Sequence, residues 1–173
     1  MSVSALLVTG ATGAGKTTYL SRLIAQRPAA ARWAVLVNDF GEARLRTGPG
    51  LAVREVAGCI CCSGQVSLRT AIVALLRDGP ERLLIEASAA AHPDAIVHVL
   101  NEPGIASAVT LERTVCVADP AQALDPRYAN LELYREQVKA ADEVVLSKTD
   151  ARAEEALRAM GAQRIEHVIP DPR

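Results

Sequence analysis

Residues 10–17 read GATGAGKT and match the pattern G-x-x-x-x-G-K-[ST]. Ahead of them residues 5–8 form an apolar run closed by Thr9, and behind them residues 18–25 have helical character. Strand, glycine-rich turn and helix in that order make a phosphate-binding loop. Gly10, Gly13 and Gly15 permit positive φ angles, so that the amides of Gly13, Ala14 and Gly15 can turn inward toward phosphate oxygens. Lys16 would reach the β and γ phosphates and the Thr17 hydroxyl would ligate Mg²⁺. The helix through Thr18 would present its positive N-terminal end to the same anion. The fold expected around such a loop is α/β, a P-loop NTPase whose doubly wound, mainly parallel sheet carries helices on both faces.

The chain has 173 residues, half of them hydrophobic, which is enough for one domain with a full core. Its 19 basic and 20 acidic residues leave a formal charge of -1, so nothing in the overall electrostatics favours nucleic acid or an anionic membrane as partner. No apolar run approaches the ~18 residues of a membrane span, and the N-terminus lacks the pattern of a signal peptide. The expected location is the cytoplasm, where four cysteines, three of them at Cys59, Cys61 and Cys62, suggest metal or redox chemistry over structural disulfides.

Strands are expected at 33–37, 53–56, 82–85, 114–118, 143–146 and 164–169, with helices at 65–77, 93–101, 131–141 and 153–160. This alternation predicts about six or seven strands, mainly parallel. In such sheets ligands sit at the carboxyl ends of the strands. Asp39 and Glu42, just past the second strand, are therefore candidates to face the phosphates or a metal, or else belong to a solvated acidic loop. Glu86 ends the strand at 82–85. His92 is a further, weaker metal candidate, the other reading being a solvent contact.

Two constellations carry specificity. Ser147-Lys148-Thr149-Asp150 follows a late strand, where the Asp150 carboxylate can accept from N1–H and the 2-amino group of guanine while the Lys148 stem covers the base. Adenine offers no such donor pair, and hydrogen bonds to a charged group contribute roughly 1.5–3 kcal/mol each. The other reading of Asp150 is a helix N-cap. Cys59, Cys61 and Cys62 can converge on one ion only if the chain turns at Cys61-Cys62, as the change from strand to helix there allows. Three thiolates leave a fourth position open, as in an exchangeable metal site. A redox thiol pair or inert core cysteines are the alternatives.

Taken in order, GATGAGKT, VNDFGE, GCICC, IEASAAAHP and ADEVVLSKTD resemble the GTPase domain of the CobW family over roughly residues 5–150. These are P-loop GTPases proposed as metallochaperones. The resemblance implies phosphate and Mg²⁺ roles for Lys16 and Thr17, and the Walker B position for Glu86. It also implies guanine selection by Lys148 and Asp150, and binding of Zn²⁺, Co²⁺ or Ni²⁺ by Cys59, Cys61 and Cys62. GTP and GDP, a client metalloprotein and a nucleotide-dependent homodimer belong to the same expectation. Catalysis would involve Lys16, Glu86 and Asp39. Three features depart from the family pattern. Ala89 stands where a glycine amide should sense the γ-phosphate, and Asp39 where a longer glutamate is usual. The chain ends where members continue into a C-terminal domain, so one GTPase domain over 1–173 is expected. Two further readings share the loop: a sensor of nucleotide and metal with little turnover, and a small-molecule kinase.

Overall fold

The structure, a computed structural model, describes residues 2–38, 45, 48–56 and 65–167. Seven strands form one sheet in which every pairing is parallel: β1 (Val3–Thr9), β2 (Trp33–Val37), β3 (Leu51–Glu55), β4 (Arg82–Glu86), β5 (Val109–Ala118), β6 (Glu143–Leu146) and β7 (Ile165–His167). Their order across the sheet is β3-β2-β4-β1-β5-β6-β7. The central strands are apolar on both faces, as a parallel sheet covered on both sides requires. Along β1, Ala5 and Leu7 enter one cluster with α2 (Gln65–Leu76), α3 (Pro93–Leu100) and α4 (Pro103–Ala106). Leu6 and Val8 point the opposite way and pack with Leu20 of α1 (Lys16–Ala25). Farther along, Cys116 and Ala118 of β5 and Val144 and Leu146 of β6 pack against α7 (Glu132–Ala140) and α8 (Ala151–Ala159).

β1 is flanked by β4 and β5, so its carboxyl end opens between two neighbouring strand ends. This placement sets the loop at 10–17 at the middle of the sheet edge. Ser147-Lys148-Thr149-Asp150 follows β6, two strands away, or about 10 Å at the usual strand spacing.

Two features differ from the expected elements. β5 begins at Val109, five residues before the expected Thr114. Its first half alternates between covered and exposed positions, and Glu112 accepts hydrogen bonds from Ser4 and Arg82. Charged residues on a half-solvated strand hid it from a search for continuous apolar runs. Three short helices were not expected: α4, α5 (Pro120–Leu124) and α6 (Pro126–Ala129), each with proline in its first turn. Asp119 caps α5 by accepting from Ala121 N, so Asp119-Pro120 both closes the strand and starts a helix. The last strand runs to His167 and the remainder of its expected span lies outside the described residues. No helix among the described residues is long and apolar enough to cross a membrane.

Candidate nucleotide-binding site

The loop after β1 has the geometry that its glycines predict. Gly10, Gly13 and Gly15 have φ of 134°, 77° and 102°, the region that side chains disfavour. Gly10 is also pressed against β5, since a Cβ there would lie 2.2 Å from the Val117 carbonyl oxygen. The loop can therefore lie flat on the neighbouring strand only with glycine at this position. From the far side α5 holds it in place, because Gln122 Nε2 donates to the Thr12 carbonyl at 2.7 Å.

Lys16 and Thr17 open α1, two residues earlier than the helical stretch expected from sequence. Lys16 is buried, and its Nζ donates to the carbonyls of Gly10 and Ala11 at 3.1 and 3.2 Å. A phosphate oxygen arriving in the loop would compete for that ammonium with a full charge against neutral carbonyls. Thr17 Oγ1 donates to Glu86 Oε1 at 2.6 Å, and Glu86 is completely buried at the end of β4. A hydroxyl and a carboxylate held together at the edge of a phosphate cradle form an oxygen donor set of the hard kind that Mg²⁺ takes. The residues present therefore fit a nucleotide phosphate with Mg²⁺.

A pocket of about 200 Å³ runs from Gly13, Ala14 and Gly15 past Thr18, Tyr19 and Arg22 of α1 to Asp119 and Ser147. It joins the phosphate loop to the start of Ser147-Lys148-Thr149-Asp150. Burial raises the Tyr19 phenol above its ordinary pKa, so it stays neutral beside the pocket. Ser147 Oγ donates to Asp119 Oδ2 at 3.3 Å, tying the ends of β5 and β6 together. Lys148 is exposed. Asp150 is half-buried and caps α8, with Oδ1 accepting from Arg152 N and Ala153 N at 2.9 and 3.0 Å. The N-cap reading of Asp150 thus holds, and both cap bonds fall on one of its two oxygens.

Below the loop, Cys116 is buried in β5, and burial pushes its thiol up to about 12. It serves as a small buried hydrophobe of the core. His92 is exposed and its Nδ1 lies 2.7 Å from Glu136 Oε2 on α7. Asp39, Glu42, Cys59, Cys61 and Cys62 lie outside the described residues. Among the described residues no group of three His, Cys, Asp or Glu side chains could hold a metal ion. Asn38, buried at the end of β2, donates from Nδ2 to the Val56 carbonyl and from its amide to the Glu86 carbonyl. The strand ends before Asp39 and before Cys59 are thereby tied to the strand that carries Glu86.

Sequence reasoning missed Tyr19, Arg22, Asp119 and Gln122 at this site. Asp119 had a signal, since Asp followed by Pro marks a helix N-terminus. The others lie on helix faces whose direction only the fold reveals.

The family model for the CobW/HypB/UreG nucleotide-binding domain matches residues 4–171. The zinc chaperone YeiR of Escherichia coli strain K12 is 38% identical over 160 residues, covering 89% of this chain and 49% of that protein. The zinc chaperone CobW of a Sinorhizobium species is 30% identical over 192 residues, covering 91% and 54%. The chain therefore spans about half the length of these curated relatives. Among solved structures, Zn(II)-bound YjiA GTPase from E. coli aligns with a TM-score of 0.72 at 22% identity, covering 99% of this chain and 59% of that one. HypB, a hydrogenase maturation factor from Archaeoglobus fulgidus, gives 0.62 at 15% identity, covering 96% and 81%. At these identities the likeness is one of fold.

The close approach at Gly10 gives a direct test. Gly10→Ala drives a methyl into the Val117 carbonyl and forces a strained φ. The variant should lose nucleotide binding and unfold at lower urea than the parent, read by nucleotide titration and a denaturation curve. Retained affinity and an unchanged midpoint would contradict this packing.

Proposed function

Because the chain belongs to the CobW/HypB/UreG family of nucleotide-binding domains, we propose that it binds and slowly hydrolyses GTP and couples the nucleotide to handling of a metal ion, Zn²⁺ first among Zn²⁺, Co²⁺ and Ni²⁺. The observation that carries the nucleotide half is the Thr17–Glu86 hydrogen bond beside a glycine loop that encloses Lys16. Zinc is favoured by the relatives, which are named zinc chaperones.

In this reading the loop amides at 13–15 and Lys16 hold the β and γ phosphates, and Thr18 meets the nucleotide at the start of α1. Bound Mg²⁺ would neutralise charge developing between the β and γ phosphates. Thr17 and Glu86 are the oxygen donors that would hold it, directly or through water. Lys16 and the loop amides orient the γ-phosphate, so catalysis is mainly positioning and charge stabilisation of an attack by water. Asp39 is proposed to help order that water, with Glu42 as a further metal-facing carboxylate. Lys148 and Asp150 would select guanine. A base N–H pair can approach the carboxylate edge while the α8 cap keeps its two bonds on Oδ1. The cap then serves recognition, since it fixes the carboxylate before the base arrives.

Cys59, Cys61 and Cys62 are proposed to hold the transferred metal as thiolates, leaving a coordination position for a client metalloprotein. A homodimer formed in the GTP state and a cytoplasmic location complete the proposal. Neither nucleic acid nor membrane enters it, in keeping with the chain's near-neutral charge.

The test of the nucleotide half is base discrimination. The protein should bind GTP about a hundredfold or more tighter than ATP. Asp150→Asn should weaken GTP and improve relative binding of xanthosine triphosphate, whose altered edge suits an amide. Equal affinities of the parent for GTP and ATP would overturn the assignment.

Turnover gives a second test. The Ala89 methyl stands where a glycine would let backbone approach the γ-phosphate. Ala89→Gly should raise the single-turnover rate, and an unchanged rate in a stably folded variant would remove Ala89 from the γ-phosphate site.

A further inference from the structure

We propose that Gln137, on α7, is a positioning residue that holds the turn carrying the Ala89 amide beside the end of β1, and so controls hydrolysis without contributing to nucleotide affinity. This rests on the GTPase reading above. The loop at 87–92 leaves β4 directly after Glu86, the residue that holds Thr17. Its first amide still belongs to the sheet, Ala87 N donating to Val8 O at 2.8 Å, so the loop departs alongside the end of β1.

The next residues form a tight turn. Ala91 N donates to the Ser88 carbonyl at 2.9 Å and Ala90 N to Ser88 Oγ at 3.2 Å. The amides of Ala90 and Ala91 are thus used inside the turn. Two carbonyls face the other way, toward α7. Gln137 Nε2 donates to both, to Ala89 O and to Ala91 O, each at 3.1 Å.

The consequence lies in the peptide planes. The bond to Ser88 O fixes the plane before Ala89, and the bond to Ala89 O fixes the plane after it. The first of these planes carries the Ala89 N–H, and the second, held by Gln137, carries the Ala90 N–H that bonds Ser88 Oγ. Gln137 also holds the plane after Ala91, so one side chain grips the turn on both sides of Ala90 and supports the Ala91-to-Ser88 bond that fixes the plane of the Ala89 amide.

Gln137 is itself completely buried and sits on a firm base. Its neighbours Tyr134 and Val138 are buried in the cluster that contains Cys116 and Val144 of the sheet. Glu136, next to it, holds His92 at the end of the same loop. A buried amide that spends both N–H groups on loop carbonyls, with an apolar helix face around it, specifies a loop conformation. Without it two covered carbonyls lose their donor.

Gln137→Leu removes both donors at similar volume, and Gln137→Glu keeps the shape while replacing the donating amide nitrogen with an accepting carboxylate oxygen. Single-turnover hydrolysis and the affinity for a non-hydrolysable GTP analogue are measured on the full chain and both variants. The expected result is a rate lower by on the order of tenfold to a hundredfold, with analogue affinity within about twofold of the parent. If the leucine variant fails to fold, the glutamate variant decides. An unchanged rate, or rate and affinity falling together, overturns the positioning role while leaving the GTPase reading intact. A parent chain that binds the analogue but hydrolyses no GTP overturns both.

Discussion

Gly10 lies so close to the Val117 carbonyl that no side chain fits between them, and this contact governs the rest of the site. It seats the phosphate loop on β5 and fixes where α1 starts. That in turn puts the Thr17 hydroxyl within hydrogen-bond distance of Glu86 on β4. Three adjacent strands, β4, β1 and β5, are thereby locked at their carboxyl ends by one backbone contact and one side-chain bond. Strand spacing is nearly invariant in a parallel sheet, so the separations among phosphate loop, Glu86 and Asp119 follow from the order of strands.

Much of this was legible in the sequence because it depends on local chemistry. Positive φ at Gly10, Gly13 and Gly15 follows from the lack of a Cβ, and the apolar runs at 33–37 and 82–85 announce strands covered on both faces. Glu86 and Asp150 were legible as strand-end and loop residues beside a phosphate site. What escaped was set by direction in three dimensions. The half-solvated beginning of β5 carries Glu112 and Arg113 in a stretch that reads as a loop. Gln137 looks like any polar position on an amphipathic helix, yet the fold turns it inward onto two carbonyls. Asp150 shows a different limit. The sequence offered a cap or a base contact, and the structure shows the cap, with both of its bonds on one carboxylate oxygen.

The metal half of the account depends on how strand ends communicate. β3, after which the cysteines come, is the edge strand, three strands from β1, or about 14 Å at the usual spacing. Asn38 bridges part of that gap, linking the end of β2 to Val56 beyond β3 and to Glu86 of β4. A nucleotide that draws Glu86 and Thr17 onto Mg²⁺ would act on the strand to which Asn38 is bound. Couplings between sites are typically about 1–3 kcal/mol, a size that a small shift in how three thiolates converge would supply.

The central claim is therefore a linkage, and linkage is reciprocal. The measurement that tests it most directly is a Zn²⁺ titration of the reduced protein in the GDP and GTP-analogue states, followed by nucleotide titrations with and without Zn²⁺. The account predicts metal affinities that differ roughly 5- to 150-fold between nucleotide states, the same factor in the reverse experiment, and loss of the effect when Cys59, Cys61 and Cys62 are changed to serine. Equal metal affinity in the two states would contradict it.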